Sequence, residues 1–409
     1  MDISYLNNIP VLNLDMISFL LFAMIVLMLG YYLKSKIWVL DRFCIPAPVI
    51  GGFIFAILAL ILKSSDLMLF DMDKTIQKPL MLAFFTTIGL GASLGLLKKG
   101  GKCLIIYWMF CALLSILQNV IGVSIAKLMH LNPLIGVLTG SISMEGGHGG
   151  AAAFGPTIEK LGVSGATTIA LASATFGLIA GGLIGGPIAR YLINKNKLST
   201  ESHAHKYSFH DKEDEKTLLI PVNIKSIFIH IGIICFCIVV GEESCKAIVR
   251  LTGVVLPSYV GAMFLAVILR NFNDKINVVK LNPVIIDYAG DFSLGIFLAM
   301  ALMSLQLWQL VNLALPMVDI LIAQTAFMIV FCAFVCFKAF GGDYDAAVMV
   351  AGMAGHGMGA TPNAIANMGA VCEKFGESKK AFLIVPLVGA FLIDIVGIPC
   401  ILFFINVFK

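Results

Sequence analysis

Apolar runs near the twenty residues needed to cross a bilayer recur from one end of this chain to the other, and that recurrence limits what it can fold into. Ten read as spanning helices: Leu14 to Leu33, Phe43 to Leu62, Pro79 to Leu97, Cys103 to Met129, Ala166 to Ile193, Val222 to Val240, Leu251 to Leu269, Val284 to Leu307, Leu310 to Phe337 and Ala381 to Phe408. With 59% hydrophobic and 13% charged residues, the chain lacks the polar coat of a soluble domain, so lipid is its solvent. A soluble enzyme on an anchor is excluded. The net charge of +4 is small and lies mostly on one side, so no nucleic acid partner is implied. Met1 to Pro10 lack the basic region and cleavage site of a signal peptide, so the first run is expected to stay as a helix.

Two further stretches, 134–156 and 344–362, are apolar enough to enter the bilayer but crowded with Gly, Ser and His, which disfavours a continuous lipid-facing helix. Both read as re-entrant hairpins. With ten spans and the N-terminus outside, twenty Lys and Arg fall on one side and eight on the other. The positive-inside rule puts the twenty in the cytoplasm. A crossing at 134–156 would move the seven basic residues from Arg190 to Lys225 outside and weaken that bias. Both termini are thus expected to be periplasmic and the polar linker 194–221 cytoplasmic. In that linker His203, His205 and His210 fit neither a helix face nor a zinc finger, and the ten cysteines, mostly within apolar runs, read as small buried side chains.

The halves 1–193 and 222–409 resemble each other. Pro48 with Gly52 is matched by Pro257 with Gly261, and Gly147-His148-Gly149 by Gly355-His356-Gly357. Glu159-Lys160-Leu161-Gly162 answers Glu373-Lys374-Phe375-Gly376, and Gly185-Gly186-Pro187 with Asn194 answers Gly397-Ile398-Pro399 with Asn406. Five spans per half is odd, so the second copy enters the membrane from the opposite side. The expected fold is an all-α integral membrane protein of two inverted repeats, five transmembrane helices each, with one re-entrant hairpin per repeat. That architecture is typical of secondary transporters.

Glycine-rich breaks at mid-membrane let the backbone unwind, presenting N–H groups to an anion and carbonyls to sodium. The plainer reading is that these glycines only let helices pack closely. Close packing alone does not call for a Gly-flanked His in both copies, with Ser141, Ser143, Thr361 and Asn363 beside them. Asp394, deep in a span without Lys or Arg, reads as a sodium or proton site, and Glu145 is the second such carboxylate. Asp287 and Asp291 lie nearer a membrane face, Asp319 is isolated, and Thr86, Thr87 and Ser93 either meet a substrate or bond to their own helix. No His-Glu-x-x-His or Gly-x-Ser-x-Gly pattern supports a hydrolase. A passive channel is distinguished by conductance without saturation.

Gly146-Gly147-His148-Gly149 paired with Gly355-His356-Gly357-Met358-Gly359-Ala360-Thr361-Pro362-Asn363-Ala364-Ile365-Ala366-Asn367-Met368 resembles the bacterial sodium/glutamate symporters. So do Ala174 to Leu178, Gly185 to Arg190 and Val385 to Asp394, and the likeness runs along essentially the whole chain. The resemblance implies sodium-coupled uptake of L-glutamate across the inner membrane, with an elevator mechanism and a homodimer. It implies no cofactor, and sodium as the coupling ion and only metal. The substrate-binding positions expected from residues and resemblance together are Ser141, Ser143, Gly147, His148, Gly149, Gly357, Gly359, Thr361, Pro362, Asn363 and Asn367. Those expected for sodium are Asp394, Glu145 and Asn367. Glu145 departs from the family pattern, which more often has a small residue there. A carrier of another di- or tricarboxylate, coupled to sodium or to protons, is the alternative.

Overall fold

The computed structural model describes residues 1–6, 9–43, 45–198, 223–310 and 314–409. The helices in chain order are α1 (Met16–Lys36), α2 (Trp38–Arg42), α3 (Ala47–Ser64), α4 (Gln77–Gly91), α5 (Leu94–Leu128), α6 (Pro133–Val137), α7 (Gly147–Glu159), α8 (Ala166–Asn196), α9 (Ile224–Thr252), α10 (Ser258–Ile276) and α11 (Pro283–Met303). They continue with α12 (Ala314–Val330), α13 (Phe337–Ala339), α14 (Tyr344–His356), α15 (Thr361–Phe375), α16 (Lys379–Leu387) and α17 (Ile393–Phe408). Wider turns of π type follow α6, α12 and α16.

Among the described residues seven helices are long and apolar enough to span a membrane: Met16–Lys36, Ala47–Ser64, Gly101–Leu128, Ala166–Asn196, Ile224–Thr252, Pro283–Met303 and Leu315–Ala339. The three other expected spans take different forms. The third is the 15-residue α4, which stops at Ala92 as the backbone leaves helical geometry. The seventh begins at Ser258 instead of Leu251, because Gly253, in the left-handed region at φ 67°, closes α9, and Pro257 then opens α10. The last is α16 and α17 joined through a π turn just after Pro386, whose missing N–H cannot bond to the preceding turn. Most of the 194–221 linker, with its three histidines, lies outside the described residues.

A three-stranded sheet, absent from the all-helical expectation, forms from β1 (Asp2–Leu6), β2 (Ile9–Leu14) and β3 (Leu69–Met72). β1 and β2 are antiparallel, with Ser4 opposite Val11, and β3 runs parallel to β2, with Leu12 opposite Phe70. Its apolar residues Leu14, Leu12, Phe70 and Met72 cover the cluster between α1, α3 and α11, which explains why so short a sheet forms. Asp15 caps α1 by accepting from the N–H groups of Ile17 and Ser18. The Met1 ammonium and these Ser18 bonds hold its carboxyl well below the usual range.

Helix packing falls into two groups. α1, α3, α4, α9, α10 and α11 pack on one another, and α5 to α8 with α12 to α17 form the second group. An aromatic seam joins them: Phe154 of α7 meets Tyr259 of α10 edge-on at 5.4 Å, and Tyr259 meets Phe85 of α4 at 4.6 Å. Tyr259 is buried, as are Phe85 and Phe154.

Candidate functional site

The first glycine-rich stretch is a helix, a break and a second helix. Asn132 caps α6 by accepting from Leu134 N–H, and the following turn loosens until Gly140 leaves helical geometry at ψ −135°. Asn119 of α5 plugs that break: its Oδ1 accepts from Ser141 N–H at 3.1 Å and from Ser141 Oγ–H at 3.0 Å. The chain re-enters a helix at Gly147, whose φ of 56° suits glycine. The N–H groups opening α7 have no intrahelical acceptor, so partial positive charge collects there. His148 is buried, and its Nε2 lies 3.0 Å from Thr175 Oγ1 on α8. Thr175 Oγ–H donates to Leu171 O, so the histidine donates through Nε2–H.

The second stretch repeats this plan with α14, a break at 357–360 and α15. The carbonyl of Gly357 accepts from Gln118 Nε2, 2.7 Å away on α5. Asn363 donates through Nδ2 to Leu178 O at 2.5 Å, and Asn367 to Gly181 O at 2.9 Å, both on α8. Helix α8 accepts this contact because Gly177, Gly181 and Gly185 line one face. A Cβ at Gly177 would lie 2.3 Å from Met358 O, and one at Gly185 2.2 Å from Asn367 Nδ2. On α8, glycine serves close packing. At the breaks the backbone geometry gives glycine a second reason.

The two breaks touch, since a Cβ on Gly147 would fall 2.6 Å from Gly359 O. Beside the first lies a cavity of about 20 Å³ bordered by Ser115, Ser141, Glu145, Gly146, Phe85 and Asp394. That volume holds one water-sized body. Both carboxylate oxygens of Glu145 and the hydroxyl of Ser115 are buried without a hydrogen-bond partner. Two carboxylates facing one small cavity without a basic residue are a donor set for a monovalent cation, which would satisfy oxygens that are costly to leave bare.

The structure thus places Ser141, Glu145 and Asp394 around one cavity, and Gly147, His148, Gly359, Asn363 and Asn367 along α8 and the contact between the breaks. Neither Asn363, Asn367 nor Thr361 borders the cavity. Ser143 Oγ faces the carbonyls of Leu138 and Ala170, Gly149 faces the Phe84 ring, and Gly357 packs on Leu114 and Met328. Thr361 lies against Gly389, and Pro362 is exposed. Thr86 and Thr87 donate to carbonyls of their own helix, and Ser93 donates to Asp274, so these hydroxyls are spent on structure. Asp287, Asp291 and Asp319 are exposed.

Sequence reasoning missed the contribution of α5. Ser115, Gln118 and Asn119 lie three and four residues apart, on one face of an apolar helix, and that spacing was the available signal. Thr175, inside the motif Ala174 to Leu178, carries neither a charge nor a helix break that would mark it as the partner of His148.

The sodium/glutamate symporter family model matches residues 12–377. A sodium/glutamate symporter of Haemophilus influenzae is 44% identical over 377 residues, covering 92% of this chain and 93% of that protein. Sodium/glutamate symporters of Escherichia coli and Shigella flexneri are each 42% identical over 389 residues, covering 94% of this chain and 96% of theirs.

Proposed function

The chain belongs to the sodium/glutamate symporter family, and from that membership we propose that it takes up L-glutamate with sodium across the bacterial inner membrane. The observation that carries the site assignment is the meeting of the breaks at Gly147 and Gly359 beside a cavity faced by Glu145 and Asp394. Unpaired N–H groups at the start of α7 bind a glutamate carboxylate, His148 and Asn363 set the positions of the two tips on α8, and Glu145 with Asp394 holds sodium.

The same reading makes both helix–break–helix elements re-entrant hairpins of two inverted repeats. The order of elements supports it: setting aside the five-residue α2 and counting helices joined through a π turn as one, three helices, a further helix, a broken pair and a final helix occur in each half. The two packing groups support an elevator, in which α5 to α8 and α12 to α17 carry the site past α1, α3, α4 and α9 to α11. The exposed apolar faces of α1 and α9, with Leu21, Met28, Phe228 and Phe236, are left for lipid and for a second subunit in a homodimer. Both termini are periplasmic and the 194–221 linker is cytoplasmic in this arrangement.

The test is uptake of labelled L-glutamate into proteoliposomes under an inward sodium gradient, without it, and with a proton gradient instead. Sodium-driven, saturable accumulation that Asn363→Ala or Asp394→Ala abolishes supports the assignment. Unchanged uptake in both variants overturns the site, and uptake driven by protons alone overturns the coupling ion.

A further inference from the structure

Beside Glu145, three elements bring together a different donor set. Cys111 of α5, Glu145 at the first break and His356 at the end of α14 place one ligand atom each within 4.8 Å of one another. Cys111 and His356 are buried, and both Glu145 oxygens lack a hydrogen-bond partner. The spacing suits a metal. With metal–sulfur and metal–nitrogen bonds of about 2.3 and 2.0 Å in a tetrahedron, the two ligand atoms stand roughly 3.5 Å apart. Cys111 Sγ and His356 Nε2 are 3.5 Å apart. The other imidazole nitrogen, Nδ1, lies 3.0 Å from the buried Tyr107 hydroxyl, which can accept Nδ1–H and leave the Nε2 lone pair facing Cys111 and Glu145.

We propose that Cys111, Glu145 and His356 form a binding site for a soft divalent cation of the zinc or cadmium class, with water as fourth ligand. Thiolate and imidazole select such ions over sodium, which prefers oxygen. Binding releases the Cys111 thiol proton to solvent, and one thiolate with one carboxylate cancels the double charge of the metal, as a buried site requires. The ion ties α5 to both breaks. The consequence for transport rests on the sodium assignment of Glu145 made above, whereas metal binding does not.

The test separates the two. Cadmium titrated into the purified full chain is followed by its thiolate charge-transfer absorption, with Cys332→Ser/Cys336→Ser, which removes the two buried thiols of the π turn after α12, as the background for other thiols. One site per chain is expected, retained in that background, lost in Cys111→Ser, and weakened about 10- to 100-fold in Tyr107→Phe, which leaves all three ligands in place. In proteoliposomes the same ion inhibits uptake by the unsubstituted chain, while Cys111→Ser transports glutamate and resists it. An unaltered cadmium signal in Cys111→Ser overturns the site. Binding that follows the expected pattern without inhibiting uptake keeps the site and overturns the role of Glu145 in transport.

Discussion

Gly147 and Gly359 come from opposite halves of the chain, yet a single methyl group on the first would collide with the carbonyl of the second, 2.6 Å away. Gly147 also has φ 56°, so Gly147→Ala combines backbone strain with a clash. Gly162, at φ 99° with open space around it, isolates the strain. Each alanine is expected to cost about 1–3 kcal/mol in backbone strain, read as a lowered thermal unfolding midpoint. Only Gly147→Ala should also abolish uptake, and equal uptake by the two variants would remove the contact between the breaks from the mechanism.

Adjacent glycines on α8 give a second contrast. A Cβ at Gly185 would lie 2.2 Å from Asn367 Nδ2 and 2.8 Å from Ala351 O, whereas Gly186 meets nothing within 4 Å. Gly185→Ala should destabilise the chain by about 1–3 kcal/mol through overpacking. Gly186→Ala should be neutral, or stabilising by up to about 1 kcal/mol, because alanine is the better helix former. Thermal melts in detergent distinguish them.

Glu145 and Asp394 face the same cavity, so their contributions to sodium binding should not add. Glu145→Gln and Asp394→Asn should each raise the sodium concentration for half-maximal uptake by tenfold or more, about 1.4 kcal/mol, and the double variant should do little worse than the weaker single one. Strict additivity in sodium titrations would mean that they serve separate ions.

Accumulation ratios measure how many ions move. At about 100 mV and a tenfold sodium gradient, one sodium with monoanionic glutamate supports about tenfold accumulation, because the charges cancel. Two supply about 5.1 kcal/mol, enough for more than a thousandfold. Steady-state uptake with the potential clamped by a potassium diffusion gradient decides between them, and sensitivity to that potential is expected only for two.

Much of this was legible in the sequence because membrane helices write their length in apolar residues and the breaks write theirs in glycine. Glu145 and Asp394 could be chosen from cost alone, since a carboxylate in an apolar run needs a reason. The shift of the seventh span was missed because Leu251 to Leu269 is continuously apolar enough to hide the helix end at Gly253 and the restart at Pro257. Cys111 looked like any small buried side chain. Its position beside His356 depends on contacts across 245 residues, which no local pattern encodes. The polar face of α5 was readable at its spacing, but Gln118 and Asn119 acquire meaning only once Gly357 and Ser141 are known to reach them.

Helix α8 holds both tips: Thr175 receives His148, and Leu178 and Gly181 receive Asn363 and Asn367. From Thr175 to Gly181 the helix rises about 9 Å, and a helix does not stretch. It therefore acts as a rigid rail for both tips. The anchor points of the two tips keep their spacing along α8, and neither tip can shift along that helix without giving up its hydrogen bond.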